Sequence, residues 1–422
     1  MQRITILVVL LAASVYYITF APPNKYLIDI NPVAYSAKPV NIFDGPIKPS
    51  NILSKAEHLL VNDIHGPESL VYKNGHLYAT TFGGMVVRIE GSRIVPIAKI
   101  GDGKCDVPWK MSECGRPLGL RFNSRETLYV VDAYHGLYSI DSIDTLDRKV
   151  TQLLPLSATR NLKGGESKFF DDITIEEGAG KNGGDVIYIT DVGTKWDLSA
   201  FINIIIEQEN SGRLLRFDTD TKQVSVVDAG FVFPNGVQIT DDENSVLVCE
   251  LGKKRILRTF INGQKSGKTE IFANLPGECD NIRRSANVKT ETYWVALPTV
   301  KDSSNLTLFD RVLESPLIRR FLCRFFNLSE TFVETMGELF YSESLKSAGH
   351  LFKNGMLALL FHGSAVIAEY DAKGQILASY ISTIDEIGYL SEVTEVLGDK
   401  GERILYLGSF LNNFLGKLVL KR

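Results

Sequence analysis

Histidine is scarce in this 422-residue chain, at six, and so are tryptophan (three), cysteine (five) and methionine (five). The histidines (His58, His65, His76, His135, His350 and His362) show no ligand spacing, and neither an H-E-x-x-H nor a C-x-x-C pair occurs. That excludes a zinc-type site built from imidazole or thiolate. No G-x-S-x-G elbow is present, so the strand-turn-helix serine nucleophile is excluded too. Gly263–Thr269 resembles a phosphate-binding loop but is one residue short and falls in a hairpin turn. Positive charge is not in excess: the formal net charge is −4 and no basic patch stands out, which argues against nucleic acid as a partner. Helical periodicity is rare after the first fifty residues, and strands recur instead.

Long apolar runs are also rare, with one exception. Ile4 to Phe20 is uncharged and mostly apolar, follows Arg3, contains Tyr16 and Tyr17, and precedes Ala21-Pro22-Pro23. It is at the short end for a spanning helix, and no small-x-small cleavage site adjoins it. The expectation is a cytosolic stub and transmembrane signal anchor over 1–24, in a single-pass type II arrangement; a cleaved secretion signal is the alternative. Either way the remainder lies in the lumen of the endoplasmic reticulum or outside the cell. In that oxidising setting Cys105 and Cys114, flanking a short loop, are expected to form a disulfide. Asn305 and Asn327 begin glycosylation triplets. Cys249 lies in an apolar strand and should be a buried small hydrophobe.

Residues 25–55 are proline-rich and aperiodic and should form a stalk or lie against the domain. From residue 56 to 422 the chain repeats. Asn74-Gly75 sits between two short strands as a two-residue hairpin signal, and a second hairpin follows through Glu90-Gly91. Four short strands of this kind make one propeller blade. Five further units follow, the last with only three strands before the chain ends. Ala56–Asp63 is a spare strand that can complete it and remove the free edge. The expected fold is therefore all-β, a six-bladed β-propeller with an N-terminal transmembrane helix. Leu306–Phe332 has helical spacing and predicts a helical hairpin inserted in blade five, either packed on the propeller, covering its pocket, or dipping into a membrane surface.

The innermost strand of each blade starts near the axis, so polar residues at those starts converge. They are Glu68, Asp171 with Asp172, Asn235 in the turn Pro234-Asn235-Gly236, and Asp280. All are oxygen donors, the ligand set of a hard cation: Ca²⁺ before Mg²⁺ or another divalent ion. His135, in DAYHGLY, is expected to be a hydrogen-bonded blade residue.

These stretches carry a resemblance. GPESL, CGRPLGLRF, LYVVDAYHGLY, DVIYITDVGTKW, SGRLLRFD, FPNGVQIT, GECDNIRRS, YWVAL and YLSEVTEV, in that order, are similar to the strictosidine synthase-like branch of the regucalcin, gluconolactonase and paraoxonase propellers. The resemblance implies a central cation, usually calcium, held by Glu68, Asn235 and Asp280. It places Asp171 where relatives carry Asn, and it supports the Cys105–Cys114 bridge. It also implies arylesterase-like or lactonase-like hydrolysis of a small-molecule ester or lactone, with Asp171 or Asp280 as base or nucleophile and Arg116 orienting the substrate. A non-catalytic, calcium-stabilised binding propeller is the alternative. The synthase reaction needs a glutamate on the last blade. Ser391 falls at that position, and Glu392 should point to the opposite strand face, so this reaction is not expected.

Overall fold

The computed structural model describes residues 2–35, 52–103, 105, 110–145, 147–300, 311–342, 344–346, 348–349, 365–382 and 387–420. Six four-stranded antiparallel sheets are present, each running outward from its innermost strand. The innermost strands are Leu70–Lys73, Pro117–Phe122, Phe169–Glu176, Pro234–Ile239, Ile282–Arg284 and Leu390–Leu397, and each touches its counterpart in the two neighbouring blades, closing a ring. The local chemistry is simple. Asn74 and Gly75 both adopt positive φ in the two-residue turn that pairs Lys73 with His76, as a type I′ hairpin requires. Between adjacent blades, apolar side chains of facing sheets interlock, for example Leu120, Leu128, Val130 and Ile140 against Tyr78, Val86 and Ile97.

The last blade closes as the sequence predicts. Its outermost strand, Glu57–Leu59, comes from the N-terminal side and pairs with Leu415–Lys417. The Gly263–Thr269 stretch is confirmed as a connection between two strands, Arg255–Phe260 and Thr269–Asn274.

Three of the helices belong to a second compact unit, whose described residues include 2–35, 200–209 and 311–342. Helix α1 is Gln2–Phe20, a four-residue helix α2 (Met111–Cys114) belongs to blade two, α3 is Phe201–Glu207, and α4 is Pro316–Leu339. In chain order α3 interrupts blade three and α4 interrupts blade five. Of the Leu306–Phe332 stretch expected to be a helical hairpin, residues 306–310 lie outside the described residues; the rest holds a helical end at Arg311–Val312, a turn, and α4, which runs past Phe332 to Leu339. Among the described residues no helix is long and apolar enough to cross a membrane. The 25–55 stretch, expected to form a stalk or to lie against the domain, is described over 25–35 and 52–55. Leu27 and Ile30 are buried, Asn31 N–H donates to Glu207 Oε1 (2.7 Å), and Val33 N–H donates to the Glu207 carbonyl. This segment is packed with the helices.

Cys105 and Cys114 form a disulfide, with Cα atoms 5.7 Å apart. Cys249 and Cys279 are fully buried in one apolar cluster between blades four and five. Asn305 lies outside the described residues. Asn327 sits inside α4, half-buried, with its amide donating to the Cys323 carbonyl (2.9 Å). That is a poor acceptor position, since glycosylation triplets are used in exposed loops.

Candidate metal centre

A regular strand sends neighbouring side chains to opposite faces. The inner strands break that rule at their axial ends. Pairing slips between Phe170 and Ile173, between Pro234 and Val237, between Pro117 and Leu120, and between Leu390 and Glu392. A bulge of this kind re-aims the extra residue and bends the strand. In blades three and four the displaced residues are Asp171-Asp172 and Asn235-Gly236. The approach is close enough that a Cβ on Gly236 would lie 2.6 Å from the Asn281 Cα, and one on Gly119 would lie 2.4 Å from Asp172 Oδ1. Glycine is needed at both positions for clearance.

Glu68, Asp171 and Asp280 meet at this level: one carboxylate oxygen from each lies within 4.8 Å of the other two. All three are buried, at 5% exposure or less. Asn281, next to Asp280, donates from its amide to Glu68 Oε1 (2.7 Å), which leaves Glu68 Oε2 buried without a hydrogen-bond partner. Asn235, on the blade between those of Asp171 and Asp280, is likewise buried with Oδ1 unpartnered, and so is Asn281 Oδ1. Unsatisfied buried oxygens are rare because each forfeits its hydration. Burial pushes Glu68 up to about 7, with Glu392 and Asp172 adding to the rise and Arg116 and Arg283 opposing it. Burial followed by repulsion from Glu68 holds Asp171 and Asp280 well above the usual carboxylate range. A cluster of three carboxylates with orphaned oxygens, none of them ion-paired among the described residues, fits a hard divalent cation.

Arg116 lies beside the cluster but makes no ion pair in it. Its Nη2 donates to the Gly66 carbonyl (3.1 Å), the guanidinium stacks on Phe82 (4.3 Å to the ring centre), and Nη1 is buried without a partner. Burial lowers it to about 10, opposed by Glu68, Asp132, Asp171 and Asp280. Asp132 accepts from the backbone N–H groups of Tyr134 and His135 through Oδ1, while its Oδ2 and His135 Nε2 are buried and unpartnered. His135, expected to be a hydrogen-bonded blade residue, donates its backbone N–H to Asp132, while its Nε2 is left without a partner.

A second layer lies directly behind the carboxylates. Asp172 does not join Asp171; its Oδ2 accepts from Arg283 Nη1 (2.7 Å) and from the Val237 N–H (2.9 Å). Arg283 Nη2 reaches Glu392 Oε2 (2.6 Å) and Ser69 Oγ (3.0 Å), and Arg121 approaches Asp172 (3.4 Å). Every one of the six blades contributes to this plug. The expectation that Glu392 faces away is corrected: the bulge at Ser391 turns Glu392 to the axis, fully buried and ion-paired. Ser391 Oγ instead donates to the Glu68 carbonyl (2.9 Å).

Sequence reasoning thus named Glu68, Asp171, Asn235 and Asp280 and missed Asn281, Arg283 and Asp132. The Asp-Asn and Arg-Arg pairs of GECDNIRRS were the available signal, hidden by the assumption of strict alternation.

Residues 171–264 match the family model described as strictosidine synthase, and residues 45–89 match strictosidine synthase-like, N-terminal. Adipocyte plasma membrane-associated protein of Gallus gallus is 34% identical over 394 residues, covering 93% of this chain and 84% of that one. The Homo sapiens protein of the same name is 31% identical over 395 residues, covering 93% and 84%. Among solved structures, a gluconolactonase from Xanthomonas campestris aligns with a TM-score of 0.50 at 13% identity, covering 94% of this chain and 99% of that one, a likeness of fold. The chain belongs to the adipocyte plasma membrane-associated protein family, within the strictosidine synthase-like propellers.

Proposed function

We propose that the propeller is a divalent-cation-dependent hydrolase of small esters or lactones, arylesterase-like in its chemistry, with calcium as the resident ion. The observation that carries this reading is the meeting of Glu68, Asp171 and Asp280 around buried oxygens that have no other partner. Those three, with Asn235, would hold the cation. A bound cation supplies Lewis-acid polarisation of a carbonyl oxygen. Asp171 or Asp280 takes the proton of the attacking water at a carboxylate oxygen while the ester C–O bond breaks and the alcohol leaves with a proton. Alternatively it attacks the carbonyl carbon itself, releasing the alcohol and leaving an acyl-carboxylate that water then hydrolyses to the acid. Arg116, whose Nη1 has no partner and whose charge is felt by Glu68 and Asp171, would hold a carbonyl or anionic group of the substrate. Glu392 is spent on Arg283, so it is no base for an amine-aldehyde condensation.

A second reading rests on the near-complete burial of the ligand set: the cation is structural and the propeller is a binding module. Assay of the purified full chain on aryl esters and lactones separates the two. Hydrolysis that calcium restores after chelation, and that Asp280→Asn reduces at least about 100-fold without loss of fold, supports the enzyme. Stabilisation by calcium with no turnover sinks it.

The chain is further proposed to be anchored through α1 as a single-pass type II protein, with the propeller extracytosolic, lumenal or at the cell surface. The uncharged run to Phe20 and the plasma membrane-associated relatives support this. Protease protection of the propeller in sealed microsomes tests it; digestion without detergent counts against it.

A further inference from the structure

Helix α4 is built the wrong way round for water. Ile318, Phe325, Phe332 and Leu339 recur every seven residues, about two turns, and drift only ~20° per step, so they form one stripe. A surface helix buries such a stripe and exposes its charges. Here the four side chains are 47%, 43%, 64% and 66% exposed, and Leu317 beside them is 51% exposed. The buried positions are Arg319, Cys323, Arg324, Glu330 and Gly337.

The inversion has a cause. A helix leaves its last carbonyls without internal partners. Arg324 satisfies those of α1: Nη1 donates to Ile18 (3.2 Å), Thr19 (3.2 Å) and Ala21 (2.9 Å), and Nε donates to Ile28 (3.1 Å). Arg319 donates to the Ile206 carbonyl near the end of α3 and to Val33. Hydrogen bonding fixes the rotation of α4 within the helical unit, and the apolar stripe is forced outward.

What covers the stripe is indicated by its neighbour. Helix α1 packs against α4, and Ile6 to Leu11 are apolar side chains that are all more than half exposed. At the end held by Arg324, α1 presents Tyr16, Tyr17 and Phe20. Adjoining apolar faces with aromatic and arginine side chains at their junction are the composition of a lipid–water boundary. We propose that α4 lies in the plane of a bilayer surface, pressing Ile318, Phe325, Phe332 and Leu339 into the lipid as a second membrane contact beside α1. The inference rests on the proposed membrane association.

The test uses the full chain reconstituted in phosphatidylcholine vesicles and carrying Phe332→Trp, with Leu339→Trp in parallel. Both positions are exposed, so folding is not at risk. Brominated acyl chains should lower the added emission roughly twofold, with a blue shift, relative to ordinary lipid and after subtraction of the unsubstituted chain. Flotation with the vesicles is measured on the same samples. Vesicle-bound chain with unquenched emission overturns the stripe contact while leaving the anchor intact. Chain that does not float overturns both. Blue-shifted, unquenched emission that depends on protein concentration assigns the stripe to a second copy, and without that dependence to the chain's own surface; both refute the proposal.

Discussion

Glu68 shows most directly how the cluster couples protons, cations and stability. Its folded value of about 7 exceeds its ordinary 4.5, so the folded chain holds a proton that the unfolded chain releases across that window. A group raised on folding adds stability at low pH and loses it as pH climbs. For Glu68 alone the full effect is on the order of 3 kcal/mol. Asp171 and Asp280 are raised too and act in the same direction. The cation-free protein should therefore melt higher near ~pH 5 than near ~pH 8, and calcium should raise the melting temperature far more at the higher pH. Thermal unfolding with chelator and with calcium at both values measures this, and an equal calcium effect at the two would refute it. Asp280→Asn carries a less obvious sign. It removes one of three repelling charges, so the variant should equal or exceed the parent in stability under chelator while losing the stabilisation by calcium.

At the scale of strands, the axial bulges decide which residues do chemistry and which hold the ring. Asp171 and Asp172 are adjacent, yet one joins the carboxylate cluster and the other pairs with Arg283. Arg283 is 6% exposed and bridges Asp172 and Glu392, acidic groups of two different blades. Removing one partner from a buried network strands the other charges. Arg283→Met should cost about 3–5 kcal/mol, and adding Asp172→Asn and Glu392→Gln to it should recover much of the loss. Denaturant unfolding of the single and triple variants checks this; a triple variant no better than the single would mean the layer acts through packing. The same bulges mark where the sequence was legible. Blade count, the Asn74-Gly75 hairpin and the spare strand follow from alternation and turn chemistry, and of the polar strand starts, Glu68, Asp171 and Asp280 come together in the structure, with Asn235 on the blade between the last two. Alternation also pointed Glu392 outward, because the slip between Leu390 and Glu392 is a property of pairing between strands and has no local signature. Asn281 and Arg283 lie at or beside a strand that pairs without such a slip, and went unnoticed although their pairs stand in GECDNIRRS. The inward arginines of α4 were hidden for a related reason: their partners are carbonyls at the ends of other helices, and any residue could have supplied those.

Over the whole molecule, the ring is closed by three residues. Glu57, His58 and Leu59 pair with Lys417, Gly416 and Leu415, and His58 stacks on Phe414 with ring centres 3.8 Å apart. This outermost strand of blade six stands three strand spacings from the innermost one, roughly 14 Å, and contributes nothing to the cation cluster directly. It nevertheless ties the end of the chain to the segment that leads into blade one, where Glu68 lies, and blade six touches the same cluster through the Ser391 hydroxyl on the Glu68 carbonyl. A ring fastened only by adjacent-blade packing would let blades six and one separate, and Glu68 would leave Asp171 and Asp280. Adjacent backbone N–H groups point to opposite edges of a strand, so His58→Pro with Leu59→Pro must remove a ladder bond whichever residue donates it. That double variant should lower the melting temperature by several degrees, about 2–4 °C for each kcal/mol lost. It should also weaken calcium binding measured by calorimetry, although every ligand is intact. A variant that melts lower yet binds calcium as tightly as the parent would show that the site is held by its own four blades and owes nothing to the closure.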